Sequence, residues 1–157
     1  MRIKEKVLPL PTDEDIAEEE EDWEVRLPSS YRQFLQTYNG GVPVERSFLH
    51  KGHAYAIDRF LSVLSDYETN RLGDYDIGVV LTQVEERLTD NEDLTGAEKL
   101  PIAVLFAGDL LCLDFKKHPQ NPSVCIWFHE ESGDFEPVTE KVADSFDAFV
   151  NMLYEED

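Results

Sequence analysis

Two histidines are the first residues in this sequence whose type and spacing could do chemistry. His50 and His53 stand three apart in the segment HisLysGlyHis, and imidazole nitrogens are common zinc ligands. No further ligand follows at a spacing typical of a zinc site, and Gly52 between the two histidines favours a turn. We therefore expect a turn here and predict no bound metal.

Two carboxylates near candidate strands form the second group. Asp109 and Asp114 lie on or beside apolar runs, where a pair of carboxylates could act as a general acid and a general base. Asp109 follows AlaGly in a short connection, and aspartate is favoured in turns because it bonds neighbouring backbone groups. The turn therefore explains Asp109 without catalysis.

The third group is His129, Glu130 and Glu131, which follow Trp127 at the end of an apolar run. Such a cluster could be a site, but a strand that leaves the core usually becomes polar in the same way. The chain has no GxSxG, HExxH, Walker or dinucleotide-binding motif. It gives no positive indication of an enzyme, and we expect no catalytic residue and no cofactor.

The only two cysteines, Cys112 and Cys125, are too few for a disulfide framework or a four-cysteine zinc site. Both lie in apolar runs, so we predict two reduced, buried thiols on strands. They carry little information about function.

The elements that must position these residues begin with two helices. Thr12 can cap a helix, and the three carboxylates that follow it suit the positive end of the helix dipole. A second helix follows, because large apolar side chains recur at helical spacing from Tyr31 onwards. Asn39, Gly40 and Gly41 tolerate a left-handed backbone, so we expect them to end this helix.

The rest of the chain predicts strands, two further helices and a polar loop. Apolar and β-branched runs predict the strands, and apolar side chains at helical spacing predict the helices. The candidate strands span residues 45–50, 55–64, 102–106, 110–115 and 124–128; the helices span 76–88 and 142–153, and the loop 89–99.

This order of elements predicts an α+β fold in a single domain, with helices packed against an antiparallel sheet. A length of 157 residues fits one domain. Residues 1–11 contain two prolines, which oppose helix and strand pairing, so we predict an N-terminal arm there and the domain in residues 12–157.

The charge of the chain restricts its partners. It has 14 lysines and arginines against 34 aspartates and glutamates, a formal net charge of −20, which is far above the usual magnitude for a small domain. This charge opposes direct binding to nucleic acid or to an anionic membrane, and the basic residues are scattered along the sequence. It favours a cationic partner, although a need for solubility explains the same composition.

The lengths of the apolar runs bear on where in the cell the protein is located. None approaches the length of a membrane-spanning helix, and the basic N-terminal segment is too short and too rich in proline for a signal peptide. We therefore expect a soluble, cytoplasmic protein.

Several short motifs resemble, in their order and spacing, those of the SUKH superfamily of Smi/Knr type. An acidic helix leads into Leu27 and Pro28, followed by TyrArgGlnPheLeu and TyrAsnGlyGly. The later segments LeuProIleAla, LeuLeuCysLeuAspPhe, ValCysIleTrpPheHisGlu and SerPheAspAlaPheValAsnMetLeu are also similar. The resemblance covers most of residues 12–154, with 45–99 matching only by type of element.

The resemblance implies an α+β domain without enzymatic activity. Most bacterial members are immunity proteins that neutralise a toxin, often a nuclease, while some eukaryotic relatives regulate cell-wall synthesis. We therefore predict an antitoxin that binds a cognate toxin domain, a basic nuclease, and occludes its active site. The alternatives are a regulatory interaction module for a cell-wall or signalling enzyme, and a small metal-dependent hydrolase, which would require a stoichiometric ion.

The residues predicted to bind the partner are chosen on charge. They are eight acidic side chains, with two aromatic side chains as apolar anchors if these are exposed. The set is Glu18, Glu19, Asp22, Asp74, Tyr75, Asp76, Trp127, Glu130, Glu131 and Asp134.

Overall fold

A computed structural model describes residues 1–156. Within this range the chain forms four α-helices and one six-stranded sheet, which confirms the predicted α+β class. None of these helices is long and apolar enough to cross a membrane. The helices are α1 (Asp13–Trp23), α2 (Ser29–Thr37), α3 (Ile77–Val84) and α4 (Phe146–Val150), with short 3-10 helices at Gly73–Tyr75 and Glu85–Arg87. The strands are β1 (Ser47–His50), β2 (His53–Phe60), β3 (Lys99–Leu105), β4 (Leu110–Asp114), β5 (Ser123–Trp127) and β6 (Thr139–Ala143).

The sheet is a meander in which the strands lie side by side in chain order and every neighbouring pair is antiparallel. The antiparallel prediction is therefore confirmed. In such a sheet the connections alternate between its two ends, so the β1–β2, β3–β4 and β5–β6 connections share one end. This end holds the histidines discussed below.

Strand β6 was not predicted, and the last helix is shorter than predicted. In the segment ThrGluLysValAla only the last two residues are apolar, so it lacks the apolar run by which the other strands were predicted. Such a composition is compatible with a strand here because β6 lies at the edge of the sheet and is only partly buried. Val142 was assigned to the last helix for its apolar side chain, but it belongs to β6. Ser145 caps α4 by accepting a hydrogen bond from the Ala148 amide at 3.1 Å.

All four helices contribute buried side chains to one core with the sheet. Phe146 of α4 packs edge-on against Tyr31 of α2, with ring centroids 5.0 Å apart, and Phe149 does the same against Phe48 of β1 at 5.1 Å. Cys112 and Cys125 pair across β4 and β5 as free, buried thiols, as predicted. Burial raises the pKa of the Cys112 thiol well above its usual range, so this sulfur is a poor nucleophile.

The end of α2 joins three parts of the fold. Asn39 is fully buried; its amide group donates to the carbonyl oxygens of Val63, at 2.9 Å, and Pro9, at 3.2 Å, and its side-chain oxygen accepts from the Val63 amide. Asn39 and Gly40 both have positive φ, 56° and 82°. The predicted helix stop is confirmed, and it also ties residues 1–11 to the segment that follows β2.

The start of α1 gives a first testable prediction. The Thr12 hydroxyl accepts from the Asp15 amide at 3.0 Å, and the Asp15 carboxylate accepts from the Thr12 amide at 2.9 Å, which completes a capping box. Replacing Thr12 with alanine should lower the free energy of unfolding by about 1 kcal/mol, measured by urea denaturation. Thr37→Ala, in the last turn of α2, is the control and should change it by less than about 0.5 kcal/mol; equal losses would argue against the cap.

Candidate partner-binding surface

Helices α1 and α3 enclose a groove of about 540 Å³ with acidic walls. Glu19 and Asp22 line it from α1, and Asp76 and Glu85 line it from the two ends of α3. Trp23 and other apolar side chains contribute to its lining. None of the lining residues described is a lysine or an arginine, so the groove has a negative potential with no internal neutralisation.

Asp76 shapes this groove as the cap of α3. Its carboxylate accepts hydrogen bonds from the amides of Val79, at 3.1 Å, and Leu64, at 2.8 Å, and only 8% of the residue is exposed. Burial raises the pKa of Asp76, and the two amide donors oppose that shift. Asp76 was predicted to bind a partner, but its bonds direct it inward, so it contributes charge to the groove rather than contact area.

Glu19 is the most perturbed carboxylate of the groove. Its pKa is raised to about 7, first by burial and then by the negative charges of Asp76 and Asp22. Near neutral pH this side chain therefore exchanges a proton with solvent. A cationic group in the groove would favour the ionised form and displace that proton.

The acidic surface continues beyond the groove. A second hollow, of about 250 Å³, shares Glu85 and Gly96 with the groove and adds Glu86, Glu92 and Phe135. Again no lysine or arginine lines it among the residues that the structure describes. We call this continuous surface the acidic face; its carboxylates are those of Glu19, Asp22, Asp76, Glu85, Glu86 and Glu92.

The segment that follows β5 is fixed against the acidic face. The Phe135 amide donates to the Glu86 carbonyl oxygen at 2.6 Å. The Arg87 guanidinium donates to the carbonyl oxygens of His129 and Ser132, the second at 2.9 Å, and lies over the Trp127 ring at 5.1 Å from its centroid. The Arg87 guanidinium is thus held by carbonyl oxygens and an aromatic ring rather than by a carboxylate of the acidic face.

The predicted residues divide between several places. Glu19, Asp22 and Asp76 come together in the groove, whereas Glu18 is exposed on α1 outside its lining. Asp74 is exposed in the 3-10 helix before α3, and Asp134 is exposed in the β5–β6 connection. Glu85, Glu86 and Glu92 were missed because they lie at the end of a predicted helix and in a predicted loop, where acidic residues are ordinary.

Neither aromatic anchor is a freely exposed ring. Trp127 is only 1% exposed, its indole N–H donates to the Arg87 carbonyl oxygen at 2.9 Å, and it belongs to the core. It therefore does not meet the condition of exposure on which its prediction depended. Tyr75 is half-buried, and the Arg59 guanidinium lies over its ring at 5.0 Å. Among the aromatic side chains that do line the acidic face are Tyr67, which is exposed, and Phe135, which is half-buried.

The remaining predicted residues line a different hollow. Glu130 and Glu131 lie with His50, His53 and His129 around about 510 Å³ at the end of the sheet shared by the β1–β2, β3–β4 and β5–β6 connections. Three of the four histidines thus meet there. The sequence held a clue to this arrangement, because every second connection of an antiparallel meander lies at the same end of the sheet. The clue was incomplete because strand β6, which forms the last of these connections, was not predicted.

Two histidine–carboxylate pairs occupy this hollow. His129 Nδ1 lies 2.6 Å from Asp109 Oδ1, which also accepts from the His129 amide at 3.0 Å, and His50 Nε2 lies 3.1 Å from Glu140 Oε1. Hydrogen bonds from Lys51 and then His50 lower the pKa of Glu140.

No serine, threonine or cysteine lines the hollow, and no group of three or more metal-binding side chains is arranged to hold an ion within residues 1–156. Asp109 lies in the β3–β4 connection, but its carboxylate bonds the amide and the ring of His129, so it orients His129 rather than holding the backbone of the turn as expected.

The raised pKa of Glu19 gives a second prediction. Between its ordinary value of 4.5 and about 7, the folded protein holds a proton that the unfolded chain has lost, so the free energy of unfolding falls as pH rises through this range. Glu19→Gln should therefore be more stable than the unchanged protein at about pH 8, by about 1–2 kcal/mol once its exposed half is allowed for. The difference should shrink as pH falls below 7.

Urea denaturation of both proteins across this pH range is the measurement. Glu18→Gln, an exposed neighbour on α1, is the control and should change the free energy of unfolding by less than about 0.5 kcal/mol at about pH 8. Equal stability of Glu19→Gln and the unchanged protein at high pH would refute the raised pKa.

Comparison with known proteins gives one family. Neither the curated proteins nor the solved structures produced a match. The model of the SMI1 / KNR4 family (SUKH-1) matches residues 10–152, which include α1 to α4 and the whole sheet. Because the match covers almost the whole chain, this protein belongs to the SMI1 / KNR4 family (SUKH-1).

Proposed function

We propose that this protein is a non-enzymatic immunity protein that binds and neutralises a cognate toxin domain, a nuclease with a basic substrate groove. The acidic face carries the proposal, since six carboxylates surround two joined hollows without one lining lysine or arginine among the described residues. Family membership supports it, because the family consists in general of non-enzymatic immunity or interaction modules.

Electrostatics explain how such an inhibitor would act. A nuclease groove is basic because it binds phosphates, and a protein of net charge −20 is attracted to it over several ångströms before contact. Complementary charge raises the association rate, while a few desolvated side chains set the dissociation rate. In this proposal the acidic face occupies the groove in place of nucleic acid, and Phe135 provides the apolar contact.

The proposed binding is coupled to the release of a proton from Glu19. Binding of a basic surface next to Glu19 would ionise this carboxylate, whose pKa is about 7 in the free protein. Complex formation at neutral pH should therefore release protons. We further propose a cytoplasmic location, because an incoming nuclease would reach its substrate there.

Capture of the partner is the direct test. Tagged protein is incubated with native cytoplasm, washed at low and then at high salt, and the retained proteins are identified by mass spectrometry. We expect one basic protein with a toxin-like domain, released by salt, whose nuclease activity the purified protein inhibits at a one-to-one ratio. Recovery of a cell-wall or signalling enzyme that salt does not release would instead support a regulatory interaction module and refute the immunity function.

A further inference from the structure

A small basic hollow shares no lining residue with the acidic face. It has a volume of about 310 Å³ and is lined by Lys4, Lys6, Arg59 and Arg71 with a single acidic residue, Glu5. Four of the 14 lysines and arginines of the chain thus surround one hollow, in a protein with 34 acidic residues. In the sequence these four are spread over 68 positions (4 to 71), and only the fold brings them together.

The backbone holds the N-terminal side of this hollow in place. The Lys4 amide donates to the Val42 carbonyl oxygen at 2.9 Å, and the Val7 amide donates to that of Tyr38 at 2.9 Å. Val7 is buried. The Asn70 amide group donates to the carbonyl oxygen of Leu8 at 3.0 Å, which joins this segment to the residues around Arg71. Residues 1–11, predicted as an arm, therefore pack along the domain and present two lysines at a fixed position.

The four cations have no anionic partner in the described part of the chain. The ion pairs there involve Arg2, Arg32, Lys51 and other basic residues, but none of these four. Arg59 is half-buried, and its guanidinium is positioned over the Tyr75 ring rather than against a carboxylate. Four like charges around one hollow repel each other, and a bound anion would relieve that repulsion.

We propose that this hollow is an anion-binding site for a single phosphate group, carried by a small molecule or by a phosphorylated side chain. Arginine guanidinium groups present paired N–H donors that match phosphate oxygens, and lysines add point charges. The excess of cations over Glu5 matches a phosphate dianion better than a single carboxylate. Extended polyanions are excluded by the net charge of −20, which repels nucleic acid and anionic membranes around so small a positive site. This inference is independent of the proposed toxin partner.

Titration of the full chain followed by NMR tests the site without any substitution. Inorganic phosphate, sulfate and acetate are added separately at low ionic strength. We expect phosphate to give saturable shifts confined to the backbone amides that line the hollow. Its affinity should rise from about pH 5.5 to about pH 7.5, as its second proton is lost near pH 6, whereas sulfate affinity should not. Shifts that do not saturate, that spread over the surface, or that acetate reproduces with equal affinity would overturn the proposal.

Charge-matched variants then assign the binding. Arg59→Gln/Arg71→Gln should weaken phosphate binding by about tenfold or more, because each lost guanidinium removes charge-assisted hydrogen bonds. Arg26→Gln/Lys117→Gln removes the same charge from two exposed residues outside the hollow and should weaken binding by less than about twofold. Equal losses in the two variants would overturn the site.

Two further probes separate the sources of the phosphate group. Adenosine monophosphate represents a small molecule, and a phosphoserine peptide represents a modified protein. Tighter binding of either than of inorganic phosphate, lost in Arg59→Gln/Arg71→Gln, supports the site and identifies its source. Tighter binding of an unphosphorylated acidic peptide than of inorganic phosphate would overturn the assignment to phosphate.

Discussion

Replacing Gly40 with alanine should abolish folding or destabilise the protein by at least about 3 kcal/mol more than the same change at Gly52. Gly40 has a φ of 82°, and a Cβ there would lie 2.7 Å from the Phe60 carbonyl oxygen and closer still to that of Leu61. Both obstacles are backbone atoms that follow or end β2, so the clash cannot be relieved by a side-chain rotation.

Gly52 is a matched control, because it has nearly the same φ, 80°, and no atom within 4 Å of its Cβ position. Gly52→Ala carries only the cost of a left-handed backbone, about 1–2 kcal/mol. The measurement is urea denaturation followed by circular dichroism and tryptophan fluorescence. Coincident unfolding curves for the two variants would show that the carbonyl oxygens of Phe60 and Leu61 do not exclude a side chain at position 40.

Reversing two charges of the acidic face should slow association with the captured partner by about tenfold or more at low ionic strength. Asp22→Lys/Glu85→Lys changes two exposed residues that line the groove from α1 and from the end of α3. The two lysines weaken the local attraction to a basic groove before contact is made, so the association rate falls. The difference should shrink at high salt, where the Debye length becomes short.

Asp147→Lys/Glu156→Lys is the control, because it changes the net charge equally through exposed residues of α4 and the C-terminal end, which do not line the acidic face. Stopped-flow or surface plasmon resonance measurements at two salt concentrations give the rates. If both variants slow association equally, net charge alone steers the partner, and the acidic face has no special role.

Two oppositely charged sites are joined by one segment of this protein. The segment of residues 65–75 connects the two sites: Ser65 and Tyr67 line the acidic groove, while Arg71 and Leu72 line the basic hollow. A strongly acidic chain can therefore keep a positive site, because different residues line the two hollows. The two proposed ligands, a basic protein and a phosphate group, can be tested with separate variants for the same reason.

Local signals in the sequence determined much of the fold. Thr12 with its following carboxylates, the apolar spacing from Tyr31, and the Asn39–Gly40–Gly41 stop each act within a few residues of the chain, so α1, α2 and their ends were predictable. Buried strands such as β4 are almost wholly apolar and were found for that reason. The edge strand β6 buries little of its surface, so its composition does not distinguish it from a connection.

Composition also fixed the net charge and, with the ordered motifs, the family. It did not fix where the charges lie. From the sequence, Trp127 was predicted as a surface anchor, but in the fold it lies in the core. Asp76 was predicted as a surface acid, but in the fold it caps α3. Charge and residue type are local properties that the sequence states directly, whereas exposure depends on contacts between distant segments. For that reason only the tertiary structure joined Glu19, Asp22 and Glu85 into an acidic groove and gathered Lys4, Arg59 and Arg71 into a basic hollow.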